Sequence, residues 1–386
     1  MRLDDGFAVS SFRGATSGAE HWIAVQAPAE LDLRGQIAAM GARYAEARRA
    51  LGLRPDSAVF RRLFASDLFN QAEALAASPL AGTADEGPVA VSMVRQPPLA
   101  GAKLALLAYH IEDGDNLAKR RLTPRHLLVE KRGRRHLWST RLCTGATEPS
   151  TDAATQTREV FEELAGVLAG QGARLSDHCV RTWLFMRDVD VFYHGMVEAR
   201  RRLFAEHGLT RQTHYTASTG IEGTCDHQFD LVAMDAYSAL DLTAAQVSYL
   251  NDFEHLCEAK AYNVTFERGT RVAYADRAHG FISGTASIDA AGHVLYRGNV
   301  LAQLHRALDN VAALLHAGAM RLADLLYLIV YLRDPADFAV VSRAVQERCP
   351  GLPVQVVQAA VCRPDWLVEV EGVAVAANAA PALPEF

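Results

Sequence analysis

Glu369 stands between Val368 and Val370 in the run Leu367-Val368-Glu369-Val370-Glu371 of a 386-residue chain. A carboxyl group on an otherwise apolar strand is costly to bury ionised, and desolvation raises its pKa toward the range where it can donate a proton. It is the strongest candidate for a general acid. Arg141 and Arg277 are candidate carboxylate anchors, because a planar guanidinium can give two parallel hydrogen bonds to one carboxylate. Tyr215 offers a phenolic donor. Arg181 lies on an apolar strand where a buried arginine needs a partner, and a structural ion pair is the reading that fits it best. Cys362 has no neighbouring His or Lys in sequence to activate its thiol, so it reads as a residue that shapes a pocket.

These residues must be positioned by a scaffold, and the chain contains one scaffold unit twice. Gln156, Phe161, Leu164, Leu168 and Leu175 lie over Gln303, Leu308, Val311, Leu315 and Leu322 at a shift of 147 residues. Apolar residues at helical spacing predict an amphipathic helix in each copy. Each helix runs into a short loop, Gly170-Gln171-Gly172 or Ala317-Gly318-Ala319, where glycine can take the left-handed conformation of a C-cap. Strands follow at Cys179 to Met186 and Leu326 to Leu332. Second helices are predicted from about Val191 to His207 and from Pro335 to Arg348. Closing strands are Leu231 to Asp235 and Leu367 to Glu371, so Glu369 has Ala233 as its counterpart, and Glu371 has Asp235 and reads as structural. Arg141 is set at the strand end matched by Thr285, and Arg277 precedes the strand leading to Ser283.

The order of elements predicts an α+β fold: two tandem units, each a sheet backed by helices. The boundaries are residues 1–120 for an N-terminal extension packed on the first unit, 121–250, 251–376, and a disordered tail at 377–386. Within the extension, Ala58 to Ala77 reads as helical, with strands near Val89 to Arg95 and Leu104 to His110. Hydrophobic residues make up 50% of the chain and charged residues 22%, as in globular proteins with a sizeable core. The formal net charge of −6, without long like-charged runs, gives no footprint for nucleic acid or an anionic membrane. The cluster Lys131 to Arg135 reads as a solvated hairpin end. Six scattered cysteines without a CxxC pair point to neither disulfides nor zinc. With no leader-like apolar segment and no long apolar run, a cytoplasmic location is expected. No GxSxG, HExxH, P-loop or GxGxxG phrase is present, and no cofactor is implied.

The second unit resembles the RidA (YjgF/UK114) family through Ser283-Gly284-Thr285-Ala286-Ser287, Leu322-Ala323-Asp324, Tyr331-Leu332-Arg333-Asp334-Pro335 and Leu367 to Glu371. The chain as a whole resembles the chorismatases, tandem RidA-like proteins, through Thr213 to Gly223, Phe266-Glu267-Arg268-Gly269-Thr270-Arg271, Tyr274-Ala275-Asp276-Arg277 and Cys362 to Glu369. That resemblance implies a chorismate-cleaving lyase that releases pyruvate and leaves 3-hydroxybenzoate, with some 4-hydroxybenzoate, in secondary metabolism. It implies Glu369 as the acid protonating the enolpyruvyl methylene, Arg141, Arg277 and Tyr215 as substrate anchors, and Cys362 with Ala275 as the pair that sets the product. Two other outcomes stay open: hydrolysis to a dihydroxycyclohexadienecarboxylate, and a RidA-type imine deaminase or non-catalytic ligand-binding module. The deaminases hold a carboxylate with an arginine in the penultimate strand, and Pro353 to Val361 contains none. The implied partner is the small molecule chorismate, with no nucleic acid or membrane, in a monomer with pseudo-oligomeric packing or a small homo-oligomer.

Overall fold

Three helices begin in the same way. In the computed structural model, which describes residues 6–99, 101–149, 152–257 and 265–386, α1 (Leu33–Ala50), α3 (Ala153–Gly170) and α5 (Val300–Ala317) are each 18 residues long. Each is capped by a side chain that accepts from the third helical N–H: Asp32 from Gly35, Asp152 from Thr155 and Asn299 from Ala302. Each also carries a buried glutamine at its fourth position. Gln36, Gln156 and Gln303 accept from the backbone N–H of Lys103, Leu231 and Leu367 at 2.8, 2.6 and 2.8 Å, and so tie the helix to the start of a strand.

The strands repeat with the helices. The N-terminal copy contains β1 (Phe7–Arg13), β2 (Ala19–Gln26), α1, β3 (Ala58–Ala65), α2 (Leu68–Ala76), β4 (Ala90–Arg95) and β5 (Leu104–Glu112). The middle copy contains β6 (Leu117–Thr123), β7 (His126–Lys131), β8 (Arg134–Leu142), α3, β9 (Cys179–Met186), α4 (Val189–Glu206), β10 (Ala217–Glu222) and β11 (Val232–Ala239). The last contains β12 (Val247–Tyr249), β13 (Gly269–Ala273), β14 (Arg277–Ala286), α5, β15 (Leu325–Leu332), α6 (Phe338–Arg348), β16 (Val354–Gln358) and β17 (Val368–Ala377). The sheet orders are β1-β2-β5-β3-β4, β10-β9-β11-β8-β7-β6 and β12-β13-β14-β17-β15-β16. With β6 and β12 set aside as edge additions, the three orders are one topology. In each, two strands joined through a helix pair in parallel: β3 with β4, β9 with β10 and β15 with β16.

The α+β class and the two tandem units are as the sequence predicts. The expected N-terminal extension is instead a third copy, and the helix expected from Ala58 to Ala77 is β3 followed by α2. All eight residues of β3 are buried, and a strand covered on both faces lacks the alternation that marks a half-buried one. The expected disorder of the tail is also corrected. Phe386 is buried, with its ring centroid 4.6 Å from that of His279 and 5.0 Å from that of Tyr274, and Glu385 pairs with Arg132 at 2.9 Å. Lys131, expected at a solvated hairpin end, is buried, with Nζ donating to the Ser17 carbonyl at 2.7 Å.

The three copies meet around buried charge. Arg62 of β3 pairs with Asp235 of β11 at 2.8 Å, and Arg181 of β9 pairs with Glu371 of β17 at 2.6 Å. Trp183 Nε1 donates to Glu371 at 2.7 Å, and the Arg62 guanidinium lies 4.7 Å from the Trp183 ring centroid. Arg181 is therefore the structural ion pair that its apolar strand predicts. Glu371 has the structural role assigned to it. Among the described residues, no helix is long and apolar enough to cross a membrane.

Candidate active site

Between the middle and last copies lies a cavity of about 210 Å³. The middle copy supplies Tyr193 and Arg200 from α4 and Ser218, Thr219 and Gly220 from β10; the last supplies Arg268, Gly284 of β14 and Glu369 of β17. Glu369 and Glu371 are two residues apart and share a face of β17. They are held in opposite ways. Glu371 is wrapped by Arg181, Trp183 and Thr219, whereas Glu369, only 5% exposed, makes no salt bridge or side-chain hydrogen bond with any described residue. Burial, reinforced by the charge of Glu371, raises the Glu369 carboxyl to about 8 against the opposing pull of Arg268 and Arg181. Glu369 is then protonated at neutral pH and available as a proton donor.

The backbone of β14 makes room for that carboxyl. Ile282 pairs with Gly372 and Thr285 with Val370, so Ser283 and Gly284 together oppose the single residue Glu371. This is a bulge. A Cβ added at Gly284 would stand 2.2 Å from Glu369 Oε1, which only glycine avoids. The Gly284 N–H donates to Thr219 Oγ1 at 2.8 Å, and Thr219 in turn donates to Glu371. One threonine thereby fixes both the bulge and the carboxylate behind the acid.

Two buried cations face the same space. Arg200 donates to Thr265 Oγ1 at 2.9 Å and Ser218 Oγ at 3.2 Å, and Arg268 donates to the Cys257 carbonyl at 3.4 Å; neither pairs with a carboxylate among the described residues. Burial lowers the pKa of both. Uncompensated buried charge is costly, and an anionic ligand would offset it. Phe266 and Trp366 provide apolar wall, and Arg363 also lines the cavity with its guanidinium 4.6 Å from the Trp366 ring centroid. Cys362 lines it as well, its thiol pushed up to about 12 by burial, so at neutral pH it is a neutral wall and not a nucleophile.

Of the residues singled out from the sequence, the structure brings Glu369 and Cys362 together and sets the other four apart. Arg277 is fully buried at the far end of β14, paired with Glu20 and, at 3.1 Å, with Asp276. Its partner comes from the N-terminal copy, which sequence spacing does not reveal. Ala275 lies beyond that same end, its N–H donating to the Pro384 carbonyl at 2.9 Å. At about 3.3 Å per residue, a ten-residue strand keeps Ala275 far from Gly284 and hence from Cys362. Tyr215 is buried, its backbone N–H donating to Glu267 at 2.9 Å and its ring near Phe204, and it does not line the cavity. Arg141 pairs with Asp226 and lines a different cavity. Its counterpart is Gly284, not Thr285: Ser139 pairs with Ala236 and Leu142 with Met234, so Thr140 and Arg141 form the equivalent bulge opposite Asp235.

Arg200 and Arg268 were missed for different reasons. Arg200 opens the run Arg200-Arg201-Arg202, which looks like a solvated helix face until helical period turns its first member inward. Arg268 sits in the phrase Phe266 to Arg271, where its neighbour Glu267 suggests a local ion pair. Among the described residues, one group has the geometry of a metal site: the sulfurs of Cys143 and Cys225 and an Asp230 oxygen lie within 4.8 Å of one another. Asp230 already accepts from the N–H groups of Gly145 and Ala146 at 3.0 and 3.2 Å, as a turn cap does.

Comparison with known proteins bears on the last copy first. A family model described as Endoribonuclease L-PSP matches residues 272–376. The RutC family protein PH0854 of Pyrococcus horikoshii is 31% identical over 96 residues, a match covering 24% of this chain and 76% of the relative. The chain belongs to the RutC family. Its family match covers β14, α5, β15, α6, β16 and β17, and so includes both Gly284 and Glu369. Most of the chain has a solved counterpart in fold. The crystal structure of a chorismatase at 1.08 Å resolution aligns with a TM-score of 0.61 at 18% identity, covering 83% of this chain and 93% of that one. At that identity the likeness is one of fold.

Proposed function

We propose that this RutC-family protein cleaves chorismate, releasing pyruvate and leaving 3-hydroxybenzoate. The observation that carries the reading is the pairing, in one cavity, of a buried protonated acid with two buried arginines that have no carboxylate partner among the described residues. Chorismate has a carboxylate on its ring and another on its enolpyruvyl group, and Arg200 and Arg268 are the residues to hold them. Such anchors orient the enolpyruvyl methylene toward Glu369. The fold shared with a chorismatase and the sequence phrases around Arg268 and Glu369 support the same substrate.

Glu369 gives its proton to the methylene carbon, which makes the neighbouring carbon an oxocarbenium centre. The ether bond to the ring then breaks and pyruvate leaves. The adjacent ring hydroxyl closes on the carbon that lost the ether oxygen, and opening of that three-membered ring with loss of a ring proton gives the aromatic product. The proton returned regenerates the acid. Pyruvic acid and a hydroxybenzoic acid together account for every atom of chorismic acid, so no water enters. Cys362, Phe266 and Trp366 are the walls that favour this outcome over attack by water.

The test is the purified chain with chorismate, pyruvate release being followed through lactate dehydrogenase and the aromatic product identified by chromatography and mass. Pyruvate and 3-hydroxybenzoate in equal amounts are expected. No pyruvate above the uncatalysed rate would overturn the assignment.

A further inference from the structure

The junction between the N-terminal and middle copies holds a second cavity, of about 360 Å³. It is built from the same pieces one copy earlier, with α2 and β4 in place of α4 and β10, and β8 in place of β14. Its chemistry is different. Arg121, Arg125 and Arg141 line it, and where Glu369 stands in the first cavity the middle copy has Ala233. Arg125 pairs with Glu163 at 3.0 Å and Arg141 with Asp226, while among the described residues Arg121 donates to the carbonyls of Pro124 and Val89, at 3.1 and 2.7 Å, and pairs with no carboxylate. Three guanidinium groups against two carboxylates leave one positive charge, which matches a monoanion.

Two further features define what kind. Asp226 Oδ1 and Arg141 Nε are buried and have no hydrogen-bond partner among the described residues, so an acceptor and a donor stand unused beside each other. The apolar part of the lining is formed by Val89, Val91 and Met93. We infer that this cavity is a second, non-catalytic binding site for a small cyclic hydroxy-monocarboxylate, its carboxylate on the arginines, its hydroxyl donating to Asp226 and its ring on Val91 and Met93. With no acid at the Ala233 position, the site binds its ligand and does not turn it over.

The probe is 3-hydroxybenzoate, titrated calorimetrically into the full chain. Arg141→Leu and Val91→Phe are each expected to remove one binding equivalent per chain or weaken it at least tenfold. Val91→Phe fills the cavity and leaves the Arg141–Asp226 pair intact, so it stands if Arg141→Leu fails to fold. Benzoate, lacking the hydroxyl, is expected to bind this site roughly ten- to a hundredfold more weakly, the usual worth of one hydrogen bond to a charged group. Binding of 3-hydroxybenzoate unchanged in both variants, or no binding to the wild type, overturns the inference. Absence of chorismate turnover with this binding preserved would sink the proposed function and leave the second site standing.

Discussion

At the bulge of β14, Gly284 keeps its Cβ position empty and Glu369 occupies the space; at the equivalent bulge of β8, Arg141 stands opposite Asp235 with a left-handed backbone, φ 57°, and the residue at the Glu369 position is Ala233. The two cavities share their framework, down to an acid behind each bulge, Glu371 in one and Asp235 in the other. What differs is the group each copy places there, a protonated carboxyl beside one bulge and a guanidinium on the other. A repeat supplies several like-shaped junctions at once, and one exchange of residue types is enough to give them different chemistry. At the third junction, between the last and N-terminal copies, Gln355 donates to the Leu106 carbonyl at 2.9 Å.

The sharpest way to break this comparison is to remove the acid. Glu369→Gln keeps the size of the side chain but not its proton, and turnover of chorismate is expected to fall roughly 10²- to 10⁴-fold while ligand binding is kept, as read by pyruvate release and calorimetry. Wild-type kcat/KM should be level at neutral pH and decline as pH rises through about 8, where Glu369 loses its proton. Stability carries the same signature. Because the folded pKa is raised above the unfolded one, the native state holds an extra proton between about pH 4.5 and 8, and stability drops across that window as pH rises. Glu369→Gln lacks this dependence, so its Tm should overtake that of the wild type progressively toward pH 8. A variant with wild-type rate would place the acid elsewhere.

The bulges give a paired test of next largest effect. Gly284→Ala puts a methyl where the Glu369 carboxyl lies and must displace it, and a shift of about 1 Å in a catalytic group can cost about a hundredfold in rate. Arg141→Gly, the reciprocal exchange, lies outside the catalytic cavity and should leave turnover within about twofold of wild type. Equal losses from the two would mean that the bulges serve folding alone. A smaller effect is expected at Cys362. Cys362→Ala opens space of the order of one water, about 30 Å³, beside the ring. The product ratio should shift severalfold from 3-hydroxybenzoate toward the dihydroxycyclohexadienecarboxylate, with pyruvate release kept. An unchanged ratio by chromatography would assign product choice to other walls.

How far the sequence could be read follows from where each signal lies. The Gln156 and Gln303 pair and the strand that carries Glu369 are local patterns, and both were legible. The N-terminal copy carries the same cap and glutamine, Asp32 and Gln36, at a shift of 120 from Asp152 and Gln156, but its buried β3 contains Arg61 and Arg62 and does not look like a core strand. Those arginines make sense only with Glu86 and Asp235, their partners across the structure. Arg277 was misplaced for the same reason, because Glu20 lies more than 250 residues away in the chain. A carboxylate anchor and a structural ion pair are the same residue type, and only three-dimensional packing distinguishes Arg200 and Arg268 from Arg277.

The least of the expected effects concerns the loops that follow α3 and α5. The sequence predicts glycine at the left-handed position in both, and the structure agrees for Gly172, at φ 73°, but not for Gly318, at φ −92°; the left-handed residue there is Ala319, at φ 56°. The equivalence runs Gln171 to Gly318 and Gly172 to Ala319, and the Met320 N–H donates to the Leu315 carbonyl at 2.8 Å as the Ala173 N–H does to Leu168 at 2.9 Å. The hydrogen bonds thus demand the same backbone in both copies, and alanine meets the demand against a left-handed cost of about 1 kcal/mol. Ala319→Gly removes that cost but adds conformational freedom to the unfolded chain, an opposing contribution of about 0.4–1 kcal/mol. A net gain of no more than about 0.5 kcal/mol is expected, whereas Gly172→Ala, which imposes the strain anew, should lose about as much. Urea denaturation of the two variants with the m-value held checks the sign. A loss of more than about 1 kcal/mol from Ala319→Gly would mean that the Ala319 methyl makes packing contacts worth more than the strain it carries.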